Sequence, residues 1–172
     1  MSYKNGLHSY FLGDFNEYFG PQITVGDYTS VAEGVIWCGS MNHVCIKHPE
    51  AVSTYNFNER WKLDYFEPGG ISRGPITVGN DVWIGRDSFI IDGVTIGDGV
   101  IIGAKSVVGK NIPPYAVAVG NPIQIKRYRF TPEQIKALLR IKWWEWPEEL
   151  IRERIADFRD ITVFVNKYDI SN

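Results

Sequence analysis

Read from Val78 in steps of six, the chain places Val78, Ile84, Ile90, Ile96, Ile102 and Val108 at one recurring position. The next residue is glycine at Gly79, Gly85, Gly97, Gly103 and Gly109, and isoleucine at Ile91. Four residues after each marker stand Val82, Ser88, Val94, Val100, Ser106 and Ile112. The repeating unit is thus aliphatic, glycine, two variable residues, small or aliphatic, one variable residue. The same phase occurs upstream in Val25-Gly26, Val31-Ala32 and Trp37-Cys38, with Thr29 and Val35 in the second slot. It is lost over residues 39–75 and recovered at Val78.

A period of six is neither the three-and-four spacing of an amphipathic helix nor the uninterrupted alternation of a strand. It fits a short strand closed by a tight corner, with three such walls making one turn of a triangular prism. The aliphatic marker then points inward and stacks on its copy one coil away. The glycine accepts the corner backbone, and neighbouring coils pair as parallel strands. A glycine-rich sandwich is the competing architecture, but its turn signals, about 8–12 residues apart, require no six-residue phase. The prediction is a mainly β chain, a single-stranded parallel β-helix with a protruding loop and a C-terminal helical segment.

After the last marker the sequence changes character. Lys110 to Tyr115, with Pro113 and Pro114, is expected to end the coils, because proline removes ladder donors. Gly120-Asn121-Pro122 reads as a turn, followed by the basic cluster Lys126-Arg127-Tyr128-Arg129. Thr131-Pro132-Glu133-Gln134 is a helix start, with Thr131 as cap and Pro132 at the first position. Pro147-Glu148-Glu149 opens a second helix, and Ile161 to Val165 reads as a short strand. Trp143, Trp144 and Trp146 between the helices read first as packing anchors and second as a binding platform. The expected organisation is a β-helix over residues 1–130, with a loop insertion at about 39–75, and a helical extension over 131–172.

Composition narrows the function classes. The chain has 172 residues, 44% hydrophobic and 22% charged, with a formal net charge of −2. That gives no general drive toward nucleic acid or an anionic membrane. The N-terminal stretch MSYKNGLHSYFLGDF contains no apolar core of a signal peptide, and no apolar run reaches membrane-spanning length. Cys38 and Cys45 read as free thiols, and cytoplasm is the expected compartment.

Several strings resemble the xenobiotic acetyltransferases, the type B chloramphenicol and streptogramin enzymes together with related sugar and polysaccharide O-acetyltransferases. They are Val25 to Ala32, Asn42-His43, Ser53 to Phe57, Asp81 to Gly85, Gly103 to Val108, and Ile112-Pro113-Pro114-Tyr115 running to Gly120-Asn121-Pro122. The likeness covers roughly residues 20–130. It implies a left-handed β-helix, a homotrimer with parallel prism axes, and acetyl-CoA as co-substrate in the groove between neighbouring prisms. The loop at about 39–75 would shape the pocket for a carbohydrate or small-molecule acceptor. Neither a metal nor nucleic acid is implied. The family's Ser-Thr-Tyr-Pro-Phe string has proline where this chain has Asn56, which changes the acceptor loop.

An acceptor hydroxyl needs a base to take its proton as it attacks, and histidine titrates in the useful range. The chain has three histidines: His8, His43 and His48. His8 precedes the recognised coils and reads as a bystander. His43 matches the family's catalytic position, and His48 is the alternative base. Trp83 occupies an outward slot of the repeat that the core does not require, and by resemblance it lines the site near the thioester. By resemblance the cofactor contacts fall near Ala104 and near Gly109-Lys110; positions eighteen apart stack along one prism face, Arg86 with Ala104 and Gly85 with Gly103, which adds Gly85, Arg86 and Gly103 as candidates. Lys126, Arg127 and Arg129 are candidates for the nucleotide phosphates. The leading expectation is O-acetylation of a sugar or polysaccharide. Antibiotic O-acetylation, nucleotide-sugar N-acetylation and a non-catalytic β-helix scaffold are the alternatives. Two histidines make a poor zinc site, so no metal is expected.

Overall fold

The computed structural model describes residues 3–14, 16–18, 20, 22–39, 52–53, 55, 57–62 and 72–169. The first coil is β1 (Tyr3–Asn5), β2 (Tyr10–Phe11) and β3 (Asn16–Tyr18). The second is β4 (Ile23–Val25), β5 (Ser30–Val31) and β6 (Ile36–Cys38). After a short helix, α1 (Phe57–Trp61), come β7 (Ile76–Val78), β8 (Trp83–Ile84) and β9 (Phe89–Ile91), then β10 (Thr95–Ile96), β11 (Ile101–Ile102) and β12 (Val107–Val108). The chain ends its coils with β13 (Ala116–Val119) and β14 (Gln124–Tyr128).

These strands form three sheets, one per face. The first face is β1-β4-β7-β10, the second β2-β5-β8-β11-β13-β14, and the third β3-β6-β9-β12. All pairings are parallel except the last hairpin, β13 with β14. Thr77 lies opposite Thr95 and Phe89 opposite Val107, so three hexapeptides make one turn. Every marker and second-slot residue from Val78 to Ile112 is buried in one continuous core. Val25, Val31, Trp37, Thr29 and Val35 are buried with them.

The small polar residues of the second slot close the corners. Thr29 Oγ1 donates to the Gly79 carbonyl at 3.0 Å, and Ser88 Oγ to the Gly85 carbonyl at 2.8 Å. Ser106 Oγ donates to the Gly103 carbonyl at 2.6 Å and accepts from Gly120 N–H at 3.0 Å. A buried hydroxyl is tolerated because each finds a carbonyl that the strand ladder leaves unpaired.

Three expectations need correction. The coils begin at Tyr3, so His8 sits at the first corner rather than before the prism. It stacks on Tyr28 at 4.9 Å and lies 3.9 Å from Glu148. Pro113 and Pro114 do not end the coils. Ile112 bridges to Ile96, and the prolines occupy a corner, where a missing amide proton costs nothing, before β13 resumes the second face. Of the basic cluster, Lys126, Arg127 and Tyr128 lie on strand β14 and Arg129 directly follows it. Residues Ile161–Tyr168 form a helix, α4, not a strand. Asp160 caps it by accepting from the amides of Thr162 and Val163, and Phe164 buries its inner face, which overrides the β-branched propensity.

The C-terminal helices are α2 (Pro132–Ile141), α3 (Glu148–Arg154) and α4. Thr131 and Gln134 make the full capping box on α2. Trp144 is buried, and Trp143 and Trp146 pack into a second cluster with Tyr115, Leu138 and Phe164. The helices lie along the corner between the first and second faces, where Arg129 meets Asp81, Trp143 meets Tyr28, and Glu148 meets His8.

Candidate active site

The residue just before each marker points outward, and these positions line up in register. On the first face the row is Thr24, Thr77 and Thr95, which is polar. On the third face it is Ile36, Phe89 and Val107, which is half-buried and apolar. On the second face it is Tyr10, Ser30, Trp83, Ile101 and Val117. Trp83 is 53% exposed and Tyr10 equally so. The core is complete without either ring. Trp83 therefore stands where the sequence placed it, on an outer wall, with Ser30 and Tyr10 as neighbours that the sequence reading missed. The signal for both was present, since each holds the same slot as Trp83 in its own coil.

The glycines proposed for the cofactor divide into two kinds. A Cβ on Gly85 would sit 2.5 Å from Ala104 N and 2.9 Å from Ala104 Cα, both backbone of the next coil. A Cβ on Gly103 would meet Val119 Cγ1 at 2.6 Å. Coil stacking by itself demands both glycines. Gly109 is different, because its Cβ would meet only Ile91 Cδ1, at 3.3 Å. Gly85, Arg86, Gly103 and Ala104 lie together at the corner between the second and third faces. Gly109 and Lys110 lie at the opposite end of the third face.

Charge is distributed unevenly over the candidates. Arg86 pairs with Glu33 of the preceding coil, both exposed. Arg129 turns inward, donating to Asp81 at 2.8 Å and to the Gly99 carbonyl at 2.7 Å, so it is not available to a phosphate. Lys110, Lys126 and Arg127 are exposed and have no carboxylate partner among the described residues. Those three cations fit the donor chemistry that phosphates require. Burial raises the Asp81 carboxyl above the usual carboxylate range, against the opposing pull of Arg129. Burial, with Asp92 nearby, also raises the Cys38 thiol, so this core cysteine is no nucleophile.

The insertion leaves the prism after Cys38 and returns at Arg73, whose N–H donates to Asp92 Oδ2 at 2.8 Å. Within it, Phe57 stacks on Trp61 at 4.8 Å and meets Tyr55 at 5.0 Å, leaving Tyr55 and Trp61 more than half exposed. His43 and His48 lie outside the described residues. Among the described residues no group of three acidic, histidine or cysteine side chains could hold a metal, and no helix is long and apolar enough to cross a membrane.

The bacterial transferase hexapeptide (six repeats) family matches residues 75–110. Over 162 residues the chain is 35% identical to a chloramphenicol acetyltransferase of Agrobacterium fabrum (strain C58), covering 88% of this chain and 76% of that protein. Over 174 residues it is 35% identical to a probable macrolide acetyltransferase of Lysinibacillus sphaericus, covering 96% and 91%. Among solved structures it is similar to a hexapeptide-repeat acetyltransferase of Vibrio cholerae complexed with acetyl-CoA, with a TM-score of 0.60 and 25% identity over 76% of this chain and 62% of that one. It is also similar to a maltose O-acetyltransferase of Clostridium difficile 630, with a TM-score of 0.55 and 29% identity over 75% and 60%. The chain spans less than two thirds of either solved chain. Six-residue walls stacked three to a turn, and identity to two acetyltransferases over most of their length, have one common explanation: the chain belongs to the hexapeptide-repeat acetyltransferases.

Proposed function

We propose that the chain is an acetyl-CoA-dependent O-acetyltransferase built on a left-handed β-helix, with a hydroxyl of a sugar or polysaccharide as acceptor. The observation that carries this reading is Trp83, a large ring held on an outer wall by a strand whose core partner, Ile84, is fully buried. It stands beside the corner where Ala104 is exposed, on the face that also carries Lys126 and Arg127. We read residues 1–130 as the catalytic unit and 131–172 as an extension braced along one corner. The proposed site residues occupy two corners of one prism, so a single chain does not enclose them. A homotrimer would bring one corner against the other corner of a neighbour, and the apolar row Ile36, Phe89, Val107 suits such a contact.

Acetyl-CoA supplies an activated thioester. His43, with His48 as the alternative, accepts the proton of the acceptor hydroxyl as its oxygen attacks, then returns it to the departing sulfur. Trp83 packs against the reacting groups and excludes water. Lys110, Lys126 and Arg127 hold the phosphates. The antibiotic reading stays open on a specific observation, the names of the two near-full-length relatives. Rates of acetyl-CoA consumption with maltose, oligosaccharides, chloramphenicol and a macrolide decide between them. His43→Ala is expected to lower kcat by about 10²–10⁴ while leaving acetyl-CoA binding intact. Unchanged turnover would move the base to His48.

A further inference from the structure

We infer that Arg129 is a positioning residue for coenzyme binding: turned into the prism corner, it pins the end of β14 and so holds Lys126 and Arg127 in place for the CoA phosphates. The inference rests on the reading that those two cations bind the phosphates.

Strand β14 is the edge of its sheet, with β13 as its one strand neighbour among the described residues. All five of its residues are exposed, so no side chain of Gln124–Tyr128 is anchored in the core. Lys126 and Arg127 reach only groups on their own strand, Gln124 Oε1 at 3.4 Å and the Tyr128 carbonyl at 3.2 Å. Where these cations stand is therefore set by the strand that carries them. An edge strand of this kind depends on what holds its two ends.

Both ends are held. Before β14, Ile123 is 3% exposed and belongs to the prism core. After it, Arg129 donates its backbone N–H to the Tyr115 carbonyl at 2.9 Å. Its Nη1 donates to Asp81 Oδ2 at 2.8 Å and to the Gly99 carbonyl at 2.7 Å. Asp81 and Gly99 occupy the same corner in successive coils, so one side chain ties the strand to two coils. The guanidinium also lies 5.5 Å from the Tyr115 ring and 5.2 Å from Phe130, which restricts its swing.

The strand between these ends is irregular where the cations sit. Val117 faces Arg127 while Ala118 faces Ile125, so Lys126 is the extra residue of a bulge. In an unbroken strand, neighbours point to opposite faces, and a bulge breaks that alternation and re-aims a side chain. Consecutive cations can then serve one anion, provided the bulged strand is kept in register. Arg129 supplies that restraint from the far side of the bulge.

The test uses CoA as the probe, with Kd read by calorimetry at about 20 mM and about 300 mM NaCl. Lys126→Ala/Arg127→Ala is expected to weaken CoA about tenfold or more at the lower salt, with the gap narrowing at the higher. Arg129→Met should weaken it about fivefold with the same narrowing. Asp81→Asn/Arg129→Met, which leaves no orphaned carboxylate and keeps the net charge, should do the same. Neither should add to the loss in the Lys126→Ala/Arg127→Ala background, because all act through the same two cations. A general loss of structure would weaken CoA equally at both salts. Wild-type affinity in both Arg129 variants, a loss independent of salt, or losses that add overturns the inference. Unchanged affinity in Lys126→Ala/Arg127→Ala refutes the phosphate reading itself, and the inference falls with it.

Discussion

Gly85 and Gly109 hold the same slot of the repeat, and only the three-dimensional stack separates them. Replacing Gly85 with alanine puts a Cβ 2.5 Å from Ala104 N, where ordinary contact begins near 3.4 Å. The obstacle is backbone, so the coils must part by about 0.9 Å, the difference between those two distances. The hydrogen bond from Gly85 N–H to the Ile102 carbonyl, 2.8 Å long, stretches with them. Overpacking of this kind costs about 1–3 kcal/mol, and a weakened ladder bond adds up to about 1 kcal/mol. A total of about 1–4 kcal/mol lowers Tm by roughly 2–16 °C in a chain of this size. Gly109→Ala meets only the tip of Ile91, which can rotate, at a backbone conformation that alanine accepts. It should leave Tm unchanged or raise it by about 1–3 °C through a less flexible unfolded chain. Thermal unfolding of the three proteins at one protein concentration measures both effects. A Gly85→Ala protein within about 1 °C of wild type, or a Gly109→Ala protein falling as far as Gly85→Ala, refutes the stacking argument.

Trp83→Ala removes an outward ring, so stability should fall by less than about 2 kcal/mol while acetyl transfer falls about tenfold or more; a large stability loss with normal turnover would make Trp83 a packing residue. Asp81 gives a pH signature of unusual sign. Its carboxyl is harder to ionise in the folded state than in the unfolded chain, so the native state holds the extra proton. Its contribution therefore falls as pH rises from the ordinary aspartate range through the raised value. The urea midpoint of wild type minus that of Asp81→Asn should decline across that window, and a difference that grows with pH would contradict the burial argument.

Much of the prism was legible because a coil contributes to the core at fixed sequence intervals. Inward residues recur every six positions, and each can be named without knowing its partners. Even the serines at 88 and 106 fit, since the slot asks for a small side chain and the corner supplies a carbonyl. The first coil was harder to see. It runs Tyr3 opposite Ile23 and Tyr10 opposite Ser30, two residues longer than the eighteen of the regular coils, and it lacks the Val-Gly or Ile-Gly markers. The helix at Ile161 was misread because β-branched residues suggest a strand locally, while the Asp160 cap and the burial of Phe164 are what decide the element.

The sequence by itself determined the architecture of the walls and the position of the outward tryptophan, because both follow from residues at regular short intervals along the chain, and the acetyltransferase family was legible there only as a resemblance carried by strings such as Asp81 to Gly85 and Gly120-Asn121-Pro122. Only the tertiary structure decided that Gly85 serves the next coil while Gly109 stays open, that Arg129 is taken by Asp81 while Lys126 and Arg127 meet no carboxylate among the described residues, and that Tyr115 is sealed beneath the C-terminal helices. Those outcomes depend on which backbone lies against which side chain across a coil or across the corner. Such contacts join residues dozens of positions apart, and no periodicity encodes them.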